Sequence, residues 1–175
     1  YLFAANIRAD GSSKFPRDKR WGYFPSVSGG WRISKEDFFK DLSTGISDLK
    51  FRASWGQLGN DKIPNYQYYS TISTVDSPTL NGNSFTAVAQ DRYSNPNIKW
   101  EVTTQTDFGI DVSFYNDKLL ITADYYDKRT TDILVQVPLV ASLGVGAAPF
   151  QNAGEVSNKG FEFGITYRNS NDQFK

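Results

Sequence analysis

The chain has 175 residues, enough for one domain with a sizeable core, and its 19 basic and 19 acidic residues leave no net charge. Zero net charge argues against a dedicated nucleic-acid binder, and the absence of His and Cys removes the commonest general base and all thiolate metal ligands. Aromatic residues make up 15% of the chain, which favours β structure.

Period-two alternation of apolar and polar residues predicts six β-strands and almost no helix. In chain order the predicted strands are Tyr1–Asp10, Trp21–Ser34, Leu49–Gly56, Trp100–Tyr115, Leu119–Lys128 and Phe161–Arg168. One face of each segment, taken as far as Tyr125 in the fifth, carries no charge, and the charged residues lie on the opposite face. The third segment is short for a bilayer-crossing strand unless it begins near Ile46. Pro25 is the one poor strand residue on the apolar faces and suggests a bulge or local break.

The connections between these strands alternate between short and long. Asn116-Asp117 predicts a tight hairpin turn. Ser34–Asp48 predicts a short helical turn with Ser34 as a possible N-cap. Gln57–Ile98 and Thr130–Lys159 are loops of about forty and about thirty residues, and two structureless loops of that length are uncommon in a compact soluble domain. Outer-membrane barrels have short turns on one side and long loops on the other.

Aromatic residues mark both ends of the apolar faces. At the long-loop ends these residues are Trp21, Tyr23, Trp55, Trp100 and Tyr125, and at the short-turn ends Trp31 and Phe114. Two aromatic belts around a band of Val, Ile, Ala and Phe are typical of a lipid-facing surface. One apolar face is equally compatible with the core of a soluble β-sandwich, so both alternatives stay open at this point.

The polar faces supply the candidates for lining the lumen of a barrel. They are Arg8, Arg32, Lys50, Arg52, Glu101, Asp107, Asp111, Asp124, Lys128, Glu162 and Arg168. Some could line a substrate path or hold a plug, but the simpler interpretation is ion pairs that solvate a wide lumen. The fourth strand is acidic on this face, whereas the second and third are basic. Whether they face each other does not follow from sequence.

Recognition residues are more often found in loops. The candidates in the long loop Gln57–Ile98 are Tyr66, Tyr68, Tyr69, Phe85 and Tyr93. Aromatic rings among amides and hydroxyls suit sugar faces and sugar hydroxyls, and they equally suit packing within the loop or against a lid protein. The apolar stretch Ile133–Phe150 contains Pro138 and Pro149, so we interpret it as a strand end followed by an apolar outer loop rather than a transmembrane helix.

Six stretches of the chain resemble one family in its order and spacing. They are "RADGSSKF" (Arg8–Phe15), "FPSVSGGWRIS" (Phe24–Ser34), "LKFRASWGQLGN" (Leu49–Asn60), "NPNIKWE" (Asn95–Glu101), "DYYDKRTTDIL" (Asp124–Leu134) and "NAGEVSNKGFE" (Asn152–Glu162). Each is weak alone, but together they are similar to the second half of the barrel of SusC/RagA-type TonB-dependent transporters of Bacteroidetes outer membranes.

The resemblance implies an all-β fold, an antiparallel up-and-down transmembrane β-barrel of about 22 strands with a plugged lumen. Residues 1–175 would be a partial TonB-dependent receptor β-barrel domain of about six strands. Because the sequence begins at Tyr1 and contains no Met, we expect a segment of a longer protein whose plug and TonB-contacting segment (the TonB box) lie outside it.

The resemblance also implies a function in the Gram-negative outer membrane. The whole protein would import glycan or peptide nutrients, energised by the TonB complex and covered by a SusD-like surface lipoprotein, with long loops extracellular and short turns periplasmic. No enzymatic activity, cofactor or metal is expected. Asp107 and Asp111 lie about 13 Å apart along a strand, too far for a glycosidase pair. The alternative is a soluble, secreted β-sandwich that acts as a carbohydrate-binding module.

Overall fold

The computed structural model of the chain describes residues 1–40, 45–80, 83–138, 140, 142 and 147–168. Its strands are β1 (Leu2–Gly11), β2 (Trp21–Arg32), β3 (Ile46–Asn60), β4 (Thr71–Leu80), β5 (Asn83–Arg92), β6 (Glu101–Phe114), β7 (Leu119–Thr131), β8 (Leu134–Gln136), β9 (Phe150–Asn152) and β10 (Glu155–Tyr167). A 3-10 turn (Ile33–Lys35) and the short helix α1 (Asp37–Lys40) follow β2. Among the described helices, none is long and apolar enough to cross a membrane.

Six strands form one antiparallel sheet in the order β1-β2-β3-β6-β7-β10, which confirms the predicted all-β, up-and-down arrangement. The third strand does begin at Ile46 and reaches 15 residues. The last strand begins at Glu155, earlier than the predicted Phe161. Pro25 pairs with Ile7 of β1, but the ladder between β2 and β3 stops at Ser26. The predicted break is therefore real on one side of β2, where a proline has no N–H to offer.

Three expectations about the connections need correction. The loop Gln57–Ile98 contains the hairpin β4–β5, and the loop Thr130–Lys159 contains the small hairpin β8–β9, so neither is structureless. β4 and β5 carry many Ser and Thr residues and alternate too weakly to predict strands, whereas β8 and β9 have three residues each, too few to show a period. The helical turn after β2 forms, but Ser34 lies inside it rather than at its N-cap, and its hydroxyl donates to Asp48 instead.

The largest buried side chains do not lie on either face of the sheet but in the connections at its long-loop end. Phe15 and Ile98 are fully enclosed and Ile63 nearly so. The rings and side chains packed on them are Tyr68, Trp100, Leu134 and Phe150. We call these seven residues the loop core. It draws on four separate connections, so the outer loops form one packed unit.

Candidate membrane-facing and lumenal surfaces

The predicted apolar positions form one continuous face of the sheet. Strand register puts Phe108 opposite Ala53 and Tyr125, and Tyr125 opposite Phe161, so these side chains share a face. Many stand free of the protein: Phe161 is 70% exposed and Phe163 is 78% exposed. We call this face, from the Trp31 end of the sheet to the Tyr125 end, the apolar band. Nothing in the described part of the chain covers it.

At the long-loop end of the sheet, the border of the apolar band crosses the strands obliquely. Register places Trp55, Thr106, Asp127 and Lys159 in one row across β3, β6, β7 and β10. The row is aromatic at β3 and charged at β7 and β10, where Lys159 Nζ lies 2.8 Å from Asp127 Oδ2. A border set by a membrane plane must run obliquely in this way when the strands are inclined to the bilayer normal.

The charge on the outward face continues above this border. Arg129 Nε lies 2.5 Å from Glu155 Oε1, again between β7 and β10. On β1 and β2, by contrast, apolar and aromatic residues extend further toward the long-loop end, to Ile7, Tyr23 and Trp21. The apolar band therefore extends further toward the long-loop end on β1 and β2 than on β7 and β10.

The aromatic residues predicted to mark the borders divide into two groups. Trp21, Tyr23 and Trp55 stand on the outward face, exposed or half-exposed. Trp100 does not stand there. Its ring packs 5.1 Å from the Phe15 ring within the loop core, and its indole N–H donates to the Arg20 carbonyl. Trp100, one of the five aromatic residues predicted at the long-loop border, is therefore packed inside the protein.

On the opposite face, Arg52 joins three strands. Its Nε and Nη2 donate to the two carboxylate oxygens of Asp111 at 3.0 and 2.9 Å, and Nη2 also donates to Asp124 at 2.9 Å. Gly109 makes room for this arrangement, because a Cβ there would stand 2.3 Å from Asp124 Oδ1. We call Arg52, Asp111 and Asp124 the Arg52 cluster. It answers the question left by the sequence: the basic third strand lies beside the acidic one.

Other predicted lumen residues find nearer partners. Arg32 Nε donates to Asp48 at 2.7 Å, and Arg8 Nε donates to Asp10 at 2.8 Å. Asp107 accepts from the Ser54 hydroxyl at 3.2 Å and the Gln105 amide at 3.1 Å, both uncharged donors. These pairs are partly exposed, so each contributes modestly to stability.

The remaining predicted residues are spread over the sheet. Glu101 accepts from the Asn60 amide and from the Leu134 backbone N–H, both at 3.0 Å, which ties β8 to the sheet. Glu162 is exposed and lies opposite Asp124 in the β7–β10 ladder. Lys128 is exposed on β7, and Arg168 is exposed beyond β10 with its backbone N–H bonded to the Lys118 carbonyl at 2.7 Å.

The loop tyrosines are not equivalent. Tyr68 packs on the loop core, and its ring lies 4.3 Å from that of Tyr69. Tyr69 and Tyr66 are exposed, and Tyr66 has a backbone φ of 60°, the left-handed region. Tyr93 is 36% exposed beyond β5. Phe85 belongs to β5, and its side chain lies outside the described residues.

Sequence reasoning missed the residues that hold the loops together. Asn152 donates to the carbonyls of Lys99 and Asp132 at 2.8 and 2.9 Å and accepts from the Lys99 N–H. Asn95 donates to the Phe150 carbonyl at 2.8 Å. Both asparagines stand in the family-like stretches, so those stretches encode the loop architecture. The described residues contain no group of three His, Cys, Asp or Glu placed to hold a metal ion.

An antiparallel up-and-down sheet with an uncovered apolar band on one face and the Arg52 cluster on the other is a segment of a transmembrane β-barrel wall. The family model "TonB dependent receptor-like, beta-barrel" matches residues 1–175. The chain belongs to this family.

Relatives and solved structures agree with this assignment. The chain is 38% identical over 173 residues to TonB-dependent receptor P3 of Formosa agariphila, covering 99% of this chain and 17% of that protein. It is 36% identical over 168 residues to TonB-dependent receptor SusC of Bacteroides thetaiotaomicron, covering 94% and 17%.

Its fold matches the structure of the RagAB peptide transporter with a TM-score of 0.81 and 27% identity, over 97% of this chain and 18% of that one. The closed-closed state of the RagAB peptide importer matches with a TM-score of 0.80 and 28% identity, over 96% and 18%. The chain thus spans under a fifth of these relatives' length.

Proposed function

We propose that this chain forms part of the barrel wall of an outer-membrane active transporter that imports glycan or peptide nutrients. The observation that carries the proposal is the uncovered apolar band with its oblique border, set against a charged opposite face. A sheet with such a face is stable only if lipid or protein covers it. A soluble sandwich would need a second sheet over Phe161 and Phe163, and none of the described residues lies there.

The residues would divide the work between two surfaces. The charged face would line the lumen, and Tyr66, Tyr69 and Tyr93 would meet substrate or a SusD-like lid lipoprotein above it. Residues 1–175 would serve as a partial barrel domain, with the plug and the TonB-contacting segment supplied by other parts of the protein. The proposal is supported by SusC, which is named a TonB-dependent receptor, and by RagAB, which is named a peptide importer.

The first test concerns the solvent of the apolar band and uses the full-length parent protein in bacterial outer membranes. Single cysteines replace Phe108 or Ile121 on the apolar band and Asp107 or Thr122 on the opposite face. We expect the first pair to resist a water-soluble thiol reagent and, once labelled with a fluorophore, to be quenched by lipid-borne spin labels. If neither pair is quenched by lipid, the band is a protein core and the soluble binding module becomes the better reading.

The second test concerns the orientation and the energy source. We expect Tyr66→Cys to react with a membrane-impermeant reagent on intact cells, because the long loops would be extracellular. Asn116→Cys, in the short turn after β6, should react only after the outer membrane is permeabilised. Growth on the transported nutrient should also stop in a strain lacking TonB. Reaction of both cysteines on intact cells would contradict the proposed orientation.

A further inference from the structure

The outward face of the six-stranded sheet carries its charges in a single patch. Along the described length of these strands, the residues on the face of the apolar band are uncharged except for four, which all lie on β7 and β10. They are Asp127, Arg129, Glu155 and Lys159. We call these four residues the outward charged patch. It stands at the long-loop border of the apolar band, so a bilayer that covers the band ends beside it.

The tilt of the strands places this patch level with an exposed aromatic residue. The row of paired residues that contains Lys159 on β10 reaches β2 at Val27, four strands away. Over four strand spacings of about 4.8 Å, a membrane plane crossing strands tilted by about 45° shifts by about 19 Å along the strand. Trp21 lies six residues from Val27, which is about 20 Å at about 3.4 Å per residue. Lys159 and Trp21 therefore lie at one depth, and Trp is typical of the head-group region.

The two cations of the patch keep hydrogen-bond donors free for a ligand. Arg129 donates from its Nε to Glu155, and among the described residues neither of its Nη groups makes a hydrogen bond. Lys159 Nζ lies 2.8 Å from Asp127 Oδ2, a contact that occupies one of the three N–H groups of an ammonium. The two basic side chains are 61% and 57% accessible, whereas their carboxylate partners are 45% and 34% accessible. In each pair the cation is therefore the more exposed member.

An aromatic pair lies beside the patch on the bilayer side. Tyr125 and Phe161 are opposite each other on β7 and β10, and their ring centroids are 5.0 Å apart. Each ring stands two residues along its strand from Asp127 or Lys159, a distance of about 7 Å. Phe161 is 70% exposed. A lipid whose phosphate contacts the two cations would therefore place the start of its acyl chains on these rings.

The chemistry of the patch suits a lipid phosphate. The fork of N–H donors on a guanidinium matches phosphate oxygens, and an ammonium adds a point charge. The patch has no net charge, because Asp127 and Glu155 balance the two cations. Its attraction at long range is therefore weak, and recognition depends on direct contact with the exposed N–H groups. Stability does not explain the patch, since exposed ion pairs contribute little to it.

We propose that the outward charged patch binds the phosphate of a glycolipid in the outer leaflet of the membrane. The Arg129 Nη groups and Lys159 Nζ donate to the phosphate, and the rings of Tyr125 and Phe161 contact the acyl chains. This inference rests on the membrane-facing position of the apolar band and on the extracellular position of the long loops in the proposed function. It adds a specific lipid contact to the barrel wall.

The test measures lipid binding to the full-length parent protein by native mass spectrometry in detergent. The probes are monophosphoryl lipid A, its phosphatase-treated form and inorganic phosphate, all with EDTA present so that no divalent cation bridges a phosphate to the carboxylates. We expect the phosphate-free lipid to bind about tenfold more weakly than lipid A, because charge-assisted hydrogen bonds are lost. Excess inorganic phosphate should not displace lipid A, since it has no acyl chains.

Paired variants locate the site. Lys159→Gln combined with Arg129→Gln should weaken lipid A binding about tenfold and leave binding of the phosphate-free form unchanged. The control removes two exposed positive charges elsewhere: Lys128→Gln, on the opposite face of β7, is combined with Lys62→Gln, in an outer loop. The control should bind both lipids as the parent does. Resistance to heating in detergent shows that each variant is folded.

Two outcomes would show that the phosphate is not recognised: equal binding of lipid A and its phosphate-free form, or no binding of lipid A at all. Displacement by inorganic phosphate would assign the patch to a free anion. An unweakened double variant, or an equal loss in the control, would place the lipid elsewhere. If Phe108→Cys is lipid-quenched in outer membranes, each of these results rejects the lipid site alone. If it is not quenched, the membrane position of the sheet fails first.

Discussion

The apolar side chains of the loop core are enclosed by protein, whereas those on the apolar band of the sheet are exposed. In the loop core, Phe15 and Ile98 are completely enclosed by protein. On the apolar band, Phe163 and Ile165 are 78% and 75% exposed. Phe and Ile side chains occur in both regions, so the hydrophobicity of a residue alone does not tell whether protein or lipid covers it. The difference teaches that one chain contains two kinds of hydrophobic stabilisation, by protein and by the membrane.

The largest expected effect comes from truncating a buried side chain of the loop core. Phe15→Ala removes its largest fully buried side chain, and truncation of such a residue costs about 3–5 kcal/mol through lost burial and the cavity left behind. We expect the outer loops of the full-length protein to become sensitive to protease on intact cells, while the barrel resists heating in detergent as before.

Tyr69→Ala is the control for this loop-core prediction, because the ring is exposed in the same region and its loss should leave the protease pattern unchanged. If Phe15→Ala and Tyr69→Ala gave the same protease pattern, the loop core would not be a cooperative unit.

A charge placed on the apolar band should have the next largest effect. Ile110 lies between Phe51 and Ala123 in the middle of the band. Ile110→Arg should lower the free energy of unfolding in lipid vesicles by about 2–4 kcal/mol, the cost of Arg near a bilayer midplane. The matched variant Thr122→Arg, on the opposite face beside Asp111, should cost far less. A larger loss for Thr122→Arg would show that the two faces have been assigned the wrong way round.

A smaller effect is expected from filling the space at Gly109. A methyl group there would collide with Asp124 and with the Arg52 guanidinium, whose Cζ would be 2.8 Å away. Because Arg52 is partly exposed, Gly109→Ala should cost only about 1–2 kcal/mol of unfolding free energy. Gly29→Ala is the control, since its nearest contact would be at 3.9 Å.

A double-mutant cycle sharpens the Gly109 result. In an Asp124→Ala background the cost of Gly109→Ala should shrink, because the oxygen that a Cβ would meet is gone. An undiminished cost would mean that the glycine matters for its backbone rather than for the Arg52 cluster. Unfolding by urea in vesicles, followed by Trp fluorescence, provides the measurement.

The smallest effect should come from the outward ion pairs above the apolar band. Arg129 and Glu155 are in contact but well exposed, with side chains 61% and 45% accessible. Arg129→Ala should leave the urea midpoint unchanged within error, because water and salt screen such pairs. A clear shift that also disappears in a Glu155→Ala background would show that this pair lies in a drier environment than the sheet alone provides.

Much of the fold was predictable because apolar and polar residues alternate strongly along β1, β2, β6 and β7. Parity along a strand fixes which side chains share a face, whatever the neighbours. The hairpins β4–β5 and β8–β9 were not predicted, since their sequences carry little alternation. Parity places Trp100 in the outward belt, but it lies one residue before β6 begins, outside the sheet, where parity no longer holds.

The residues of the polar face could also be predicted from sequence, but their contacts could not. The polar face and its residues follow from period-two spacing, so Arg52, Asp111 and Asp124 were all found. Their contact with one another was not predicted, because contacts across β3, β6 and β7 depend on strand order and on how far each strand is shifted against the next.

The sequence by itself determined the class of fold, the two faces of the sheet and the family resemblance, since all three depend on local spacing and on residue types at fixed positions. Only the tertiary structure decided which charges pair across the strands and which aromatic rings pack in the loop core. Those outcomes depend on long-range strand order and on loop packing, and residues far apart in the chain do not reveal their proximity through local pattern.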